Sequence, residues 1–109
     1  MEMKDYALLR IFTDEMAISG DHPLSEVILQ HARDNRLLGV TVLRGTVGFG
    51  HANLVHAAHF LDHNCPLVIE IVDQHARLHE FAAEIANMKG IGLITLAPVE
   101  LLVGGNRND

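Results

Sequence analysis

The stretch 66–96, PLVIEIVDQHARLHEFAAEIANMKGIGLITL, decides the fold. Residues 67–72 are long or β-branched apolar side chains apart from Glu70, the composition of a buried strand. Asp73 is of the N-cap type, so a helix is expected to start behind it. Leu78, Phe81, Ala82, Ile85 and Met88 then recur at three- and four-residue spacing, which gathers them into one apolar stripe. Lys89 and Gly90 are stop signals, and residues 91–96 return to a strand pattern. The whole is a strand–helix–strand unit of about thirty residues.

The first half of the chain repeats the unit. Tyr6, Leu8, Arg10 and Phe12 alternate with Ala7, Leu9 and Ile11, a strand that is apolar on both faces except at Arg10. A polar turn spans 13–21 and contains Gly20. Asp21 and Pro23 are start signals for a helix in which Leu24, Val27, Ile28 and Ala32 share a face, with Gly39 as its end. Residues 40–44 read as the second strand. Pro98 leads into a strand-like apolar end, 99–103, and 104–109 reads as a flexible tail. The expectation is a single domain over 1–109 with an ordered core of about 5–103. Its class is α+β: a ferredoxin-like βαββαβ sandwich, an antiparallel sheet with both helices on one face.

That layout has a consequence. Two helices cover one face of the sheet, yet several strands are apolar on both. The second face is expected to be buried against another copy of the chain.

Composition narrows the function. The chain has 109 residues, 49% hydrophobic and 20% charged, enough for one packed core and too ordered in pattern for disorder. Aromatic residues are only 5% and Trp is absent, so Leu, Ile, Val and Ala build the core. A net charge of -6 gives no general attraction for nucleic acid or an anionic membrane surface. No apolar run approaches the ~18 residues of a membrane span. Cys65, the only cysteine, cannot form an internal disulfide, which fits a reducing cytoplasmic setting; beside Pro66 it reads as a small buried hydrophobe. Ser19 and Ser25 lie in no nucleophile motif and no carboxylate pair has an acid–base spacing, so the chain is not expected to be an enzyme.

Several residues carry other chemistry. Gly45, Gly48 and Gly50 fall within six residues and could present backbone N–H groups to a phosphate, or simply shape a tight turn. Arg44 could fork onto that phosphate, or onto Glu15 or Glu70 as an internal partner. Thr41 offers a hydroxyl, or only a β-branched strand residue. Glu70, alone in an apolar strand, needs solvent, a cation or a subunit cleft. There are eight histidines. His56, His59 and His63 would share a helical face, and imidazoles suit Zn, Cu or Ni, although no carboxylate or thiolate completes the set.

Gly39-Val-Thr-Val42, Gly48-Phe-Gly50 and Ile69-Glu-Ile-Val72 resemble, in order, pieces of the PII signalling proteins. The closer resemblance is to a PII-like family of short prokaryotic proteins, the domain of unknown function 190. Its pattern meets Glu15, Pro23, Leu24, Thr41, Arg44, Gly45, Gly48, Phe49, Gly50, His56, Pro66, Glu70 and Asp73, across roughly 6–102. The resemblance implies a homotrimer with small effectors, often adenine nucleotides, in the clefts between subunits. Glu15, Thr41, Arg44, Gly45, Gly48, Phe49, Gly50 and His56 are then the candidate ligand residues. It also implies that the loop over 45–65 acts on a partner protein, such as a membrane transporter or an enzyme.

The departures refine this. PII proteins controlled by uridylylation carry a loop Tyr, whereas the one Tyr here is Tyr6 in the first strand. The Gly-Asp-Gly-Lys turn of PII is replaced by Lys89-Gly-Ile-Gly-Leu93, and its two late arginines by Leu101-Leu-Val-Gly-Gly105 followed by Arg107. Leu54 stands where the closer family commonly has a basic residue. Fewer cations point to a ligand with less charge than ATP: AMP, ADP or a cyclic nucleotide. The alternative is a metal-binding trimer resembling the CutA proteins, using His56, His59 and His63.

Overall fold

The computed structural model describes residues 5–46, 48 and 64–106. Its elements in chain order are β1 (Tyr6–Asp14), β2 (Ile18–Ser19), β3 (His22–Pro23), α1 (Leu24–Asp34), β4 (Thr41–Arg44), β5 (Pro66–Gln74), α2 (His75–Ile85) and β6 (Leu93–Val99). The main sheet has the order β4-β5-β1-β6 and every neighbouring pair is antiparallel. The chain is therefore an α+β protein whose strand order is compatible with the ferredoxin-like layout.

The register explains which face the helices take. Leu9 lies opposite Ile71 and Leu96, and Ile11 opposite Ile69 and Ile94. Directly opposed residues share a face, so these form one apolar surface. Leu24, Ile28 and Ala32 of α1 and Leu78, Phe81 and Ile85 of α2 join Ala7, Leu9, Ile11, Ile69 and Ile71 in a single buried cluster. Both helices thus cover the same side. Each fully buried Leu, Ile or Phe there contributes about 1.5–3 kcal/mol relative to exposure.

Four local expectations are corrected. The 13–21 turn leads into a small β2–β3 hairpin that ends at Pro23, with Gly20 at φ 62 between its strands. Helix α1 stops at Asp34, before Gly39. Arg36 takes φ 59, and the Leu37 N–H reaches back to the Ala32 carbonyl at 3.1 Å, closing the end by a left-handed turn that burying Leu37 favours. Asp73 does not cap α2: the cap position is Gln74, without a side-chain bond, and Asp73 is the last inward residue of β5. It is fully buried, accepting the Leu38 N–H on Oδ2 at 3.0 Å and the Gln74 N–H on Oδ1 at 2.6 Å. Finally, β6 runs through Pro98 to Val99, and 100–106 form no further strand. Pro98 is tolerated because β6 is an edge strand.

The other face of the sheet is open within the chain. It carries Leu43, Val68, Phe12 and Leu93 in one cross-strand row, and Val72, Leu8 and Ala97 in another. Leu43 and Leu93, at the two edges, are 47% and 63% exposed. Between these rows runs a polar one, Thr41, Glu70, Arg10 and Thr95. The Arg10 Nε donates to Glu70 Oε2 at 2.8 Å, so the charges in the middle of two apolar strands answer each other.

Among the described residues no helix is long and apolar enough to cross a membrane. Cys65 is buried and carries a free thiol.

Candidate ligand-binding site

The ends of β1, β4 and β5 meet at one corner of the sheet. Asp14, the last residue of β1, folds its carboxylate over the next turn. Its Oδ1 accepts the Met16 N–H at 2.9 Å and the Ala17 N–H at 3.0 Å. This local turn fixes the direction in which Glu15 leaves the strand. The Glu15 N–H donates to the Cys65 carbonyl at 3.0 Å, carrying the β1–β5 pairing one step beyond Asp14 and Pro66.

The Glu15 side chain then gathers two more groups. Its Oε1 accepts the Cys65 N–H at 3.1 Å. Its Oε2 accepts from Arg44 Nε at 2.7 Å, and Arg44 Nη2 stands 3.4 Å from Oε1. Arg44 is the last residue of β4, paired with Leu67, so its side chain spans the start of β5 to reach Glu15. The guanidinium beside Glu15 is the main cause holding its carboxyl below the ordinary value, with the Cys65 N–H next. The carboxylate in turn pushes Arg44 up. Both groups touch solvent: the Arg44 side chain is 57% exposed and that of Glu15 28%.

Gly45 fits this corner because it lacks a side chain, whereas a Cβ on Gly48 would make only an ordinary contact. The Gly45 N–H donates to the Pro66 carbonyl at 2.8 Å. A Cβ on Gly45 would come 2.8 Å from Pro66 Cγ, and one on Gly48 3.4 Å from the same atom. Glycine here permits close approach over the proline ring.

The structure separates some of the sequence candidates. Thr41 and Arg44, three apart on one strand, face opposite sides of the sheet. Thr41 stands opposite Glu70 on the open face, and Arg44 sits with Glu15 at the corner. Of the two carboxylates weighed for Arg44, Glu15 takes it, while Glu70 is held by Arg10. Phe49, Gly50 and His56 lie outside the described residues, as do His59 and His63. Among the described residues no group of three or more His, Cys, Asp or Glu could hold a metal ion.

Sequence reasoning missed two features of the corner. One is the Cys65 N–H, a backbone donor that no residue type announces. The other is Asp14, whose carboxylate organises the turn; an Asp at the end of a strand run was the available signal. At the far end of β1, Tyr6 lies against the returning chain. A Cβ on Gly105, at φ 93, would come 3.1 Å from the Tyr6 Oη.

The family model DUF190, described as "Uncharacterized ACR, COG1993", matches residues 6–101. A UPF0166 protein of Aquifex aeolicus (strain VF5) is 36% identical over 97 residues, which cover 87% of this chain and 91% of that protein. The matched span runs from the start of β1 past the end of β6 and includes the whole Glu15, Arg44 and Cys65 corner, so the chain belongs to the DUF190 family, within the PII-like superfamily.

Proposed function

We propose that this protein is a PII-like regulator that binds a small adenine nucleotide and acts on a partner protein, without catalysis of its own. The observation that carries this reading is the placement of Arg44. An exposed guanidinium closes a short edge strand, at the point where the chain leaves the sheet for 45–65. A guanidinium fork binds phosphate through two parallel hydrogen bonds. Membership of the PII-like superfamily supports the nucleotide. The sparse cations near the site favour AMP, ADP or a cyclic nucleotide over ATP.

The assembly in this reading is a homotrimer with the ligand between subunits. The open face of the sheet supports an assembly of copies: two apolar rows flank one charge-balanced polar row, a surface that can meet its like without stranding a net charge. The 45–65 stretch, starting and ending at the ligand corner, is the part that addresses a transporter or an enzyme.

A thermal-shift panel with ATP, ADP, AMP, cyclic AMP and cyclic di-AMP tests the reading. A ligand at 100 times its dissociation constant stabilises the folded state by about 2.7 kcal/mol. The expected result is a shift with one of these nucleotides that Arg44→Ala abolishes. No shift with any of them at millimolar concentration overturns the reading.

A further inference from the structure

Glu15 touches three strands at once. It follows β1, its Oε2 holds Arg44 at the end of β4, and its Oε1 holds the Cys65 N–H at the start of β5. An anion arriving at Arg44 finds the fork occupied by a carboxylate of this same chain.

We propose that Glu15 is a built-in competitor for the anion site at Arg44: a terminal phosphate takes the guanidinium from Glu15, and the junction between Glu15 and Cys65 loosens as it does. The proposal rests on the reading that a phosphate-bearing ligand binds at Arg44, and adds how that site is regulated.

Three observations support it. First, the Arg44 Nε and Nη2 both point at Glu15, at 2.7 and 3.4 Å, and this edge of the fork serves one oxyanion at a time. Second, the pair is exposed, so water compensates both charges when it parts. A surface ion pair of this kind lowers the apparent affinity of a competing anion by only about two- to fivefold. A terminal phosphate, with more negative charge and three acceptor oxygens, can overcome that. Third, the two Glu15 oxygens are coupled through one rigid carboxylate. Oε1 serves Cys65 at 3.1 Å while Oε2 serves Arg44, so a carboxylate that turns away from Arg44 also changes its hold on Cys65. Cys65 is 7% exposed beneath this junction and is the chain's one cysteine, so its thiol reports on the corner without labels elsewhere.

The test uses the full chain and its Glu15→Gln, Glu15→Ala and Arg44→Ala variants. ADP and inorganic pyrophosphate are titrated calorimetrically into each, and the rate of Cys65 modification by a disulfide reagent is followed with and without ADP. Glu15→Gln keeps an oxygen for the Cys65 N–H and removes the competing charge. It is expected to bind ADP about two- to fivefold more tightly, and Arg44→Ala at least tenfold more weakly. ADP is expected to speed thiol modification in the unsubstituted protein. Glu15→Ala should react fast with or without ADP. ADP binding that is unchanged or weaker in Glu15→Gln overturns the competitor while leaving the nucleotide reading intact. Pyrophosphate binding that follows the expected pattern, with no ADP bound, supports the competitor and overturns ADP as the ligand. If neither anion binds any variant, the competitor falls, while the nucleotide reading is decided by the thermal-shift panel.

Discussion

Asp73 and Leu38 are 35 residues apart in the chain and are joined by one hydrogen bond, the Leu38 N–H donating to Asp73 Oδ2 at 3.0 Å. The carboxylate is fully buried at the end of β5, yet it holds the turn that follows α1. Arg77 completes the link. Its Nη2 donates to the Asn35 carbonyl at 2.7 Å, and its Nε lies 3.7 Å from Asp73 Oδ1. One strand end thereby ties the exit of the first helix to the entry of the second.

Asp73→Ala is expected to be among the most damaging single substitutions. It removes an acceptor from two backbone N–H groups and leaves Arg77 without its neighbouring charge. The expected loss is about 3–5 kcal/mol, read as a lower urea midpoint. A loss below about 1 kcal/mol would show that water replaces the carboxylate without penalty.

Gly45 and Gly39 make a contrasting pair. A Cβ at Gly45 meets the Pro66 ring at 2.8 Å, whereas one at Gly39 meets nothing within 4 Å. Gly45→Ala is expected to destabilise the chain by about 1–3 kcal/mol, because the ring cannot swing aside. Gly39→Ala should be neutral or stabilising by up to about 1 kcal/mol, through reduced freedom of the unfolded chain. Thermal melting of both variants checks the order; the reverse order would refute it.

The Glu15 and Arg44 pair should appear in the pH dependence of stability. Arg44 first, and the Cys65 N–H second, hold the Glu15 carboxyl below its ordinary value of 4.5. The folded value is thus lower than the unfolded one. The pair's contribution is fully present above the unfolded value and is lost as pH falls through the folded value. Comparing unfolding of the unsubstituted protein with Glu15→Gln, the stability gap should be steady over roughly pH 5 to 7 and should close in acid. Added salt should shrink it, since both side chains reach solvent. A gap that widens in acid would contradict the ion-pair assignment.

The open face of the sheet gives an assembly prediction. Leu8 stands between Val72 and Ala97, in the apolar row beside the Arg10 and Glu70 pair. Leu8→Glu puts a charge there that a second copy would have to desolvate. Sedimentation at micromolar concentration is expected to show an oligomer for the unsubstituted chain and a monomer for Leu8→Glu. A monomeric unsubstituted chain would remove the idea that copies cover this face.

Much of the fold was legible because periodicity is a local property. Alternation in β1 and β5 and the Leu78, Phe81 and Ile85 stripe needed only neighbouring residues to read. Element ends were less legible. Gly39 looked like the stop of α1, but the helix ended earlier, at Asp34, in a turn where non-glycine Arg36 takes a positive φ and Leu37 packs against the core. Asp73 looked like a cap, but its carboxylate found a partner 35 residues away.

The sequence by itself determined the element order, the apolar character of both sheet faces, the candidate roles of Arg44 and Glu15, and the family resemblance. These follow from residue types and short spacings. Only the tertiary structure decided who meets whom. Arg44 had two candidate carboxylates, and the antiparallel register settled the matter. It sets Glu70 opposite Arg10 on one face and brings Glu15 to the corner where β4 ends. It also parted Thr41 from Arg44, because residues three apart on a strand point to opposite faces. Pairing between strands is a long-range choice. It is made by the burial of whole faces, and individual ion pairs take the partners that this choice leaves within reach.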